Sequence, residues 1–180
     1  MKNLPNILTL SRILLLPLLL FMILSSNDQL NLYSIILFMF ISFTDFLDGF
    51  LARYYSSTSE FGKMLDPIAD KLLVIGVLTT LMINETIAHL NIIPALLIIF
   101  REIFISGLRE YAANIKIDGS IDVSSIGKVK TAIQMISLVL ILVSASFEDS
   151  ILILNTGIIL LWASMLLALI SGYKYYRAIF

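Results

Sequence analysis

Long apolar runs separated by short polar breaks limit what this chain can fold into more than any other feature of its sequence. Each run is close to the roughly 20 residues with which an α-helix crosses the hydrocarbon core of a bilayer. Because lipid offers no hydrogen-bond partner to backbone groups, we predict that the runs are transmembrane helices. The six predicted spans are residues 5–24, 32–52, 64–83, 87–108, 128–147 and 151–173.

The composition agrees with an all-α polytopic membrane protein. Of the 180 residues, 59% are hydrophobic and 14% are charged, whereas about a quarter of the residues in a soluble domain are charged. The length suits one six-helix transmembrane domain over residues 1–180. The net charge of −1 gives no bulk attraction to nucleic acid. The lack of cysteine excludes disulfides and thiolate chemistry.

Basic residues are distributed unevenly between the two ends of the spans. If the N-terminus is cytoplasmic, the outer connections are residues 25–31, 84–88 and 148–150, and these contain no Lys or Arg. Because cytoplasmic loops are enriched in Lys and Arg, this pattern predicts that both termini lie in the cytoplasm. The polar loop 53–63 then lies on the same side.

Four aspartates lie near the inner ends of the second and third spans, where ionisable groups are costly and usually functional. Asp45 and Asp48 are three residues apart, Asp66 and Asp70 are four apart, and each pair therefore projects from one helix face. A short loop makes the two helices antiparallel neighbours, so all four carboxylates can converge. Because such a cluster needs compensating cations, we predict two hard divalent ions, Mg²⁺ or Mn²⁺, on these oxygen ligands.

The residues around the aspartates suit a diphosphate ligand held by such metals. Gly49 and Gly62 allow a ligand to approach the backbone closely, and Arg53 offers a bidentate partner for phosphate. The alternative is that the aspartates are helix-end charges that pair with Arg53, Lys63 and Lys71. Four carboxylates at helical spacing beside two glycines favour the metal site.

The segment that carries these residues resembles the signature motif of the CDP-alcohol phosphatidyltransferase family. All eight fixed positions of the motif match in Asp45-x2-Asp48-Gly49-x2-Ala52-Arg53-x8-Gly62-x3-Asp66-x3-Asp70. The resemblance implies the six-helix membrane fold of that family, which covers essentially the whole chain. Members of the family are usually homodimers.

The resemblance also implies a role for each motif residue. The metal ligands would be Asp45, Asp48, Asp66 and Asp70. Asp70 would in addition act as the general base that deprotonates the acceptor alcohol. The site for the CDP-linked lipid would be lined by Gly49, Arg53 and Gly62.

Flanking segments resemble the bacterial phosphatidylglycerophosphate synthases within this family. These segments are residues 3–12, 101–110 and 127–135. The resemblance implies transfer of a phosphatidyl group from CDP-diacylglycerol to sn-glycerol 3-phosphate, in a bacterial-type inner membrane and with the active site facing the cytoplasm. The nearest alternative is a cardiolipin synthase, whose acceptor is phosphatidylglycerol. A metal-ion transporter is an alternative from another class, because carboxylates within a bundle also mark ion paths.

Basic residues on the fourth and fifth spans favour an acceptor that carries its own phosphate. They are Arg101, Arg109, Lys128 and Lys130. Arg101 and Arg109 are eight residues apart and so lie near one helix face. Such cations suit the phosphate of sn-glycerol 3-phosphate, whereas serine, inositol or choline would not need them. The alternative is that they snorkel to the interface or pair with Glu102 or Glu110.

Polar residues at the start of the first span are candidate contacts for the nucleotide. Asn6, Thr9 and Arg12 could hold the cytidine or the pyrophosphate, although capping of the helix by Asn6 explains that residue equally well. Ser59, in the loop before Gly62, is a further candidate for a nucleotide contact.

Overall fold

The secondary structure of the described residues consists of helices joined by turns, without a strand, which confirms the predicted all-α class. The computed structural model describes residues 4–25, 27–55, 60–115, 125–147 and 150–180, and within these the side chains of 4–8, 45–55, 60–63 and 125–126 are left out. The helices are α1 (Leu4–Leu24), α2 (Asp28–Tyr55), α3 (Glu60–Ile83), α4 (Ile92–Asn114), α5 (Ser125–Ser144) and α6 (Ile151–Ile179). A single 3-10 turn, His89–Asn91, precedes α4.

Each predicted run overlaps one helix, but the ends differ. The fourth run was predicted to begin at residue 87, whereas α4 begins at Ile92 after the 3-10 turn, and the fifth was predicted to end at residue 147, whereas α5 ends at Ser144. Several helices also extend beyond the end of their apolar run. The fourth run was expected to end at residue 108, and α4 continues to Asn114; the sixth was expected to end at 173, and α6 continues to Ile179. The added residues include Arg, Glu, Ala and Lys, which favour a helix although they do not favour lipid. Hydropathy therefore marks the part of a helix that enters the membrane rather than its full length.

Several helices have the length and hydropathy of membrane spans. Among the described residues these are His89–Asn114, Gly127–Ser144 and Ile151–Ile179, and shorter apolar helices cover Thr9–Leu24 and Asp28–Thr44. Large apolar side chains such as Leu14, Phe21 and Ile159 are exposed on the helix surfaces, as expected where lipid is the solvent. Six spans with both termini in the cytoplasm stay a prediction.

One compact unit consists of Met1–Thr86 and Leu142–Ser150. Within it, α1 packs against both α2 and α3. Leu20 of α1 lies beside Gly76 of α3, where a Cβ atom would come within 3.3 Å of its methyl groups. Further along, Nδ2 of Asn84 donates to the carbonyl of Ile23 at 3.3 Å. These contacts advance in the same direction along both helices, so α1 and α3 run parallel and their N-terminal ends lie together.

The other compact unit consists of Ile87–Ile141 and Ile151–Phe180. Here α4 packs against α6. The helix α5 contacts α6 at Gly157, whose carbonyl accepts a hydrogen bond from Ser137 Oγ at 2.7 Å. A Cβ atom at position 157 would lie 2.8 Å from a side-chain carbon of Ile141, so glycine is what allows this approach. That residues 1–180 form one catalytic domain stays a prediction.

Candidate active site

Two of the predicted metal-binding aspartates are described with their side chains, and both lie on α3. Asp66 and Asp70 are one helical turn apart and therefore project from the same face. Their side chains are 43% and 52% exposed. Both carboxylates are thus accessible to a ligand.

Arg12 of α1 contacts both carboxylates. Its Nη1 atom donates to Oδ1 of Asp70 at 3.1 Å, and its Nη2 atom lies 3.5 Å from Oδ1 of Asp66. The Arg12 side chain is only 4% exposed. Because a buried charge is tolerated only beside an opposite charge, this pairing is what allows an arginine in the contact between α1 and α3.

Thr9 reaches the carboxylate of Asp66 from one turn earlier on α1. It is buried, and its Oγ1 atom donates to Oδ1 of Asp66 at 2.5 Å. Thr9 and Arg12 are three residues apart and so share one helix face. The parallel packing of α1 on α3 brings that face to the aspartates. The predicted contact of Thr9 with the CDP-linked lipid stays a prediction.

The four cations predicted to bind the acceptor phosphate differ in burial. The side chains of Arg101 and Lys130 are 13% and 6% exposed, whereas Arg109 and Lys128 are exposed. The guanidinium of Arg109 lies 5.7 Å from the centre of the Tyr175 ring, which is within the range of a cation–π contact.

Glu102 lies between the two buried cations. Its Oε1 atom accepts a hydrogen bond from Nη1 of Arg101 at 3.0 Å and another from Nζ of Lys130. Arg101 also donates from Nε to the carbonyl of Ala168 at 3.1 Å and from Nη2 to Oγ of Ser171 at 2.9 Å. These contacts connect α4 with both α5 and α6. The pairing of cations with Glu102, which the sequence left open, is thus present, and their binding of an acceptor stays a prediction.

The chain matches a known protein family along most of its length. A model of the CDP-alcohol phosphatidyltransferases matches residues 2–170. The chain belongs to this family. The resemblance of residues 45–70 to the CDP-alcohol phosphatidyltransferase motif is thereby confirmed, and the protein is a membrane-associated transferase.

Bacterial relatives cover nearly the whole chain, and each is named CDP-diacylglycerol–glycerol-3-phosphate 3-phosphatidyltransferase. The protein of Rickettsia typhi is 40% identical over 178 residues, which are 99% of this chain and 97% of the relative. That of Wigglesworthia glossinidia brevipalpis is 38% identical over 97% of this chain and 93% of the relative. That of Salmonella typhimurium is 36% identical over 98% of this chain and 94% of the relative.

Other predicted site residues of this phosphatidyltransferase lie outside the described side chains. They are Asn6, Asp45, Asp48, Gly49, Arg53, Ser59 and Gly62. The convergence of all four aspartates is therefore still a prediction. Among the described side chains alone, no group of three or more His, Cys, Asp or Glu residues comes together.

The described part of the site has the ligand chemistry that a divalent cation needs. Asp66 and Asp70 supply carboxylate oxygens, the ligand type that Mg²⁺ and Mn²⁺ prefer. They project from one helix turn and remain accessible, so they can share a metal with ligands from another helix. The predicted partners from α2 are Asp45 and Asp48.

The contacts of Arg12 with the two aspartates were not predicted from the sequence, whereas the pairing of cations with Glu102 was one of the two alternatives that the sequence offered. Arg12 lies within an apolar run that contains no acidic residue, so its charge had to be compensated by another helix. Glu102 stands in an apolar span next to Arg101, and a carboxylate there is costly unless it is paired. The partner of Arg12 could not be named from the sequence, because 58 residues separate it from Asp70.

Proposed function

We propose that this chain transfers the phosphatidyl group of CDP-diacylglycerol to sn-glycerol 3-phosphate, which gives phosphatidylglycerophosphate and CMP. The observation that carries the proposal is the near-complete alignment, at 36–40% identity, with relatives whose name states this reaction. The buried cations Arg101 and Lys130 support an acceptor with a phosphate group.

The proposed setting is a bacterial-type inner membrane that the chain crosses with six helices. The absence of Lys and Arg from residues 25–31, 84–88 and 148–150 supports cytoplasmic termini and a cytoplasmic active site. A homodimer is proposed on the resemblance to the family alone.

The proposed metal site consists of Asp45, Asp48, Asp66 and Asp70, and it takes two Mg²⁺ or Mn²⁺ ions. When bound, such metals neutralise the diphosphate and make its phosphorus more electrophilic. The nucleotide and diphosphate of the CDP-linked lipid would be held by Asn6, Thr9, Gly49, Arg53, Ser59 and Gly62.

The chain's own residues then direct the transfer. Asp70 accepts the proton of the terminal hydroxyl of sn-glycerol 3-phosphate, and that oxygen forms a bond to the phosphorus of the phosphatidyl group. The bond from this phosphorus to CMP breaks, and Arg53 stabilises the negative charge of the leaving CMP. Arg12 holds Asp70 and Asp66 in place, so the proton acceptor keeps its position.

The acceptor is tested by CMP release from CDP-diacylglycerol with purified protein and Mg²⁺. We expect CMP release and incorporation of radiolabel into lipid with sn-glycerol 3-phosphate, but not with glycerol, serine, inositol or choline. The phosphate explains the difference, because none of the other alcohols carries a phosphate group for Arg101 and Lys130 to bind. Release with phosphatidylglycerol instead would identify a cardiolipin synthase.

Removing the guanidinium that joins α1 to the aspartates should impair the reaction. We expect Arg12→Met to lower kcat/KM by about 10- to 100-fold, which corresponds to about 1.4–2.7 kcal/mol. The reason is the loss of charge-assisted hydrogen bonds to Asp70 and Asp66. Arg12→Lys should recover only part of the loss, because an ammonium group cannot reach both carboxylates as a fork does.

CMP release at saturating Mg²⁺ measures the effect of the Arg12 variants. Leu14→Met, on the exposed side of the same helix, is the matched control and should retain wild-type kinetics. Wild-type kcat/KM in Arg12→Met would contradict the positioning role of this residue.

A further inference from the structure

A buried cluster of three charges carries a net positive charge. Arg101, Glu102 and Lys130 have side chains that are between 6% and 15% exposed. Two cations and one carboxylate leave a surplus of one positive charge. Because an uncompensated buried charge is strongly unfavourable, this cluster, taken with the described side chains alone, has room for one more anion.

The donors of the cluster are only partly used by the protein. Arginine has five N–H donors and lysine has three. Within the described residues, Arg101 uses one hydrogen on each of its three nitrogens, and Lys130 uses one on Glu102. As far as the described side chains go, two N–H groups remain on each cation, and an anion with several oxygens could accept them. A phosphate group has that chemistry.

An orphaned oxygen lies beside the same cluster on α5. Gln134 stands one helical turn after Lys130 and is buried, so the two side chains project from one face. Among the described residues, its Oε1 atom has no hydrogen-bond donor. A buried acceptor without a donor is unfavourable, and a hydroxyl of a bound ligand would satisfy it.

We propose that Glu102 is a positioning residue that orients Arg101 and Lys130 to bind the phosphate of the acceptor. The inference rests on the proposed function, in which that acceptor is sn-glycerol 3-phosphate. A carboxylate repels an anion and would be expected to weaken a phosphate site unless it has another task. Here a single oxygen, Oε1, binds both cations at once, which overcomes their mutual repulsion and fixes them next to each other.

The kinetics of Glu102→Gln test this role. The amide keeps the shape of the side chain but loses its charge, so the two buried cations repel and separate. We expect the KM for sn-glycerol 3-phosphate to rise about 10- to 100-fold, the size of effect that is typical when a residue that orients metal ligands is changed. The KM for CDP-diacylglycerol should stay within about twofold of wild type, because the ion pairs that Glu102 makes in the described part of the chain are with the cations of the acceptor site.

A second variant keeps the test valid if Glu102→Gln folds poorly. Glu102→Asp retains the charge of the cluster but shortens the side chain by one methylene, so one oxygen can no longer hold both cations. It should unfold at the wild-type temperature and still show a raised KM for sn-glycerol 3-phosphate. Glu110→Gln is the matched control, because Glu110 is an exposed glutamate two turns further along α4, and its KM values should not change.

The outcomes separate this inference from the proposed function. Wild-type protein that releases no CMP with sn-glycerol 3-phosphate would overturn the proposed function before any variant is measured. Wild-type activity together with an unchanged KM for sn-glycerol 3-phosphate in both Glu102 variants would overturn the inference alone. Equal rises in both KM values would also overturn it, because they would indicate a general loss of structure.

Discussion

An Asp70→Asn variant is expected to lose at least about a thousandfold in turnover while it still binds CDP-diacylglycerol. Asparagine has nearly the same shape, but it cannot accept the proton of the acceptor hydroxyl. General-base catalysis contributes about 10²- to 10⁴-fold, and the loss of a metal-binding carboxylate adds to this effect. Binding of the lipid should persist, because the other three predicted metal ligands, Asp45, Asp48 and Asp66, are retained.

Single-turnover CMP release and binding of radiolabelled CDP-diacylglycerol measure the two parts of this prediction separately. Asp28→Asn is the matched control, since Asp28 is an exposed carboxylate at the start of α2 and has no role in the proposed site. Turnover of Asp70→Asn close to that of Asp28→Asn would rule out Asp70 as the base.

Removal of divalent metal should abolish activity almost completely. The proposed site brings four carboxylates around a diphosphate, and without cations these groups repel one another. In the described part of the site, Arg12 compensates Asp66 and Asp70. One guanidinium cannot neutralise a diphosphate as well, so the protein should remain folded without metal and yet fail to react.

A chelator titration followed by addition of Mg²⁺ or Mn²⁺ tests the metal requirement. CMP release should fall to background with EDTA and return with either metal, while the unfolding temperature changes little. Addition of EDTA already saturated with Mg²⁺ controls for effects of the chelator on the membrane or detergent. Full activity in excess EDTA would refute the proposed metal site.

Local properties of the chain allowed the fold class and the family to be predicted. Hydropathy over about 20 residues located all six helices, since a helix satisfies its own backbone within one segment. The spacing of residues 45–70 identified the CDP-alcohol phosphatidyltransferases, as the match over residues 2–170 confirms. The helix ends were less accurate, because α4 and α6 continue into polar residues that favour a helix but do not favour lipid.

The metal chemistry of the aspartates stays a prediction from the sequence, and their contacts with Arg12 were not predicted at all. Carboxylates at helical spacing predict a metal site from residue type alone. The contacts of Arg12 with Asp70 and of Glu102 with Lys130 join residues of different helices. Which helix faces meet depends on side-chain packing along the whole length of the helices, and no local pattern encodes it.

The apolar runs therefore determined by themselves that this chain forms membrane helices, and the aspartate motif determined its family. Only the tertiary structure decided that α1 runs parallel to α3 and that the buried Arg12 contacts two of the aspartates. It also decided that Glu102 binds two of the four predicted acceptor cations. The physical reason is that hydropathy and helical spacing act within one segment, whereas a buried charge is stabilised only by the opposite charges that packing brings to it.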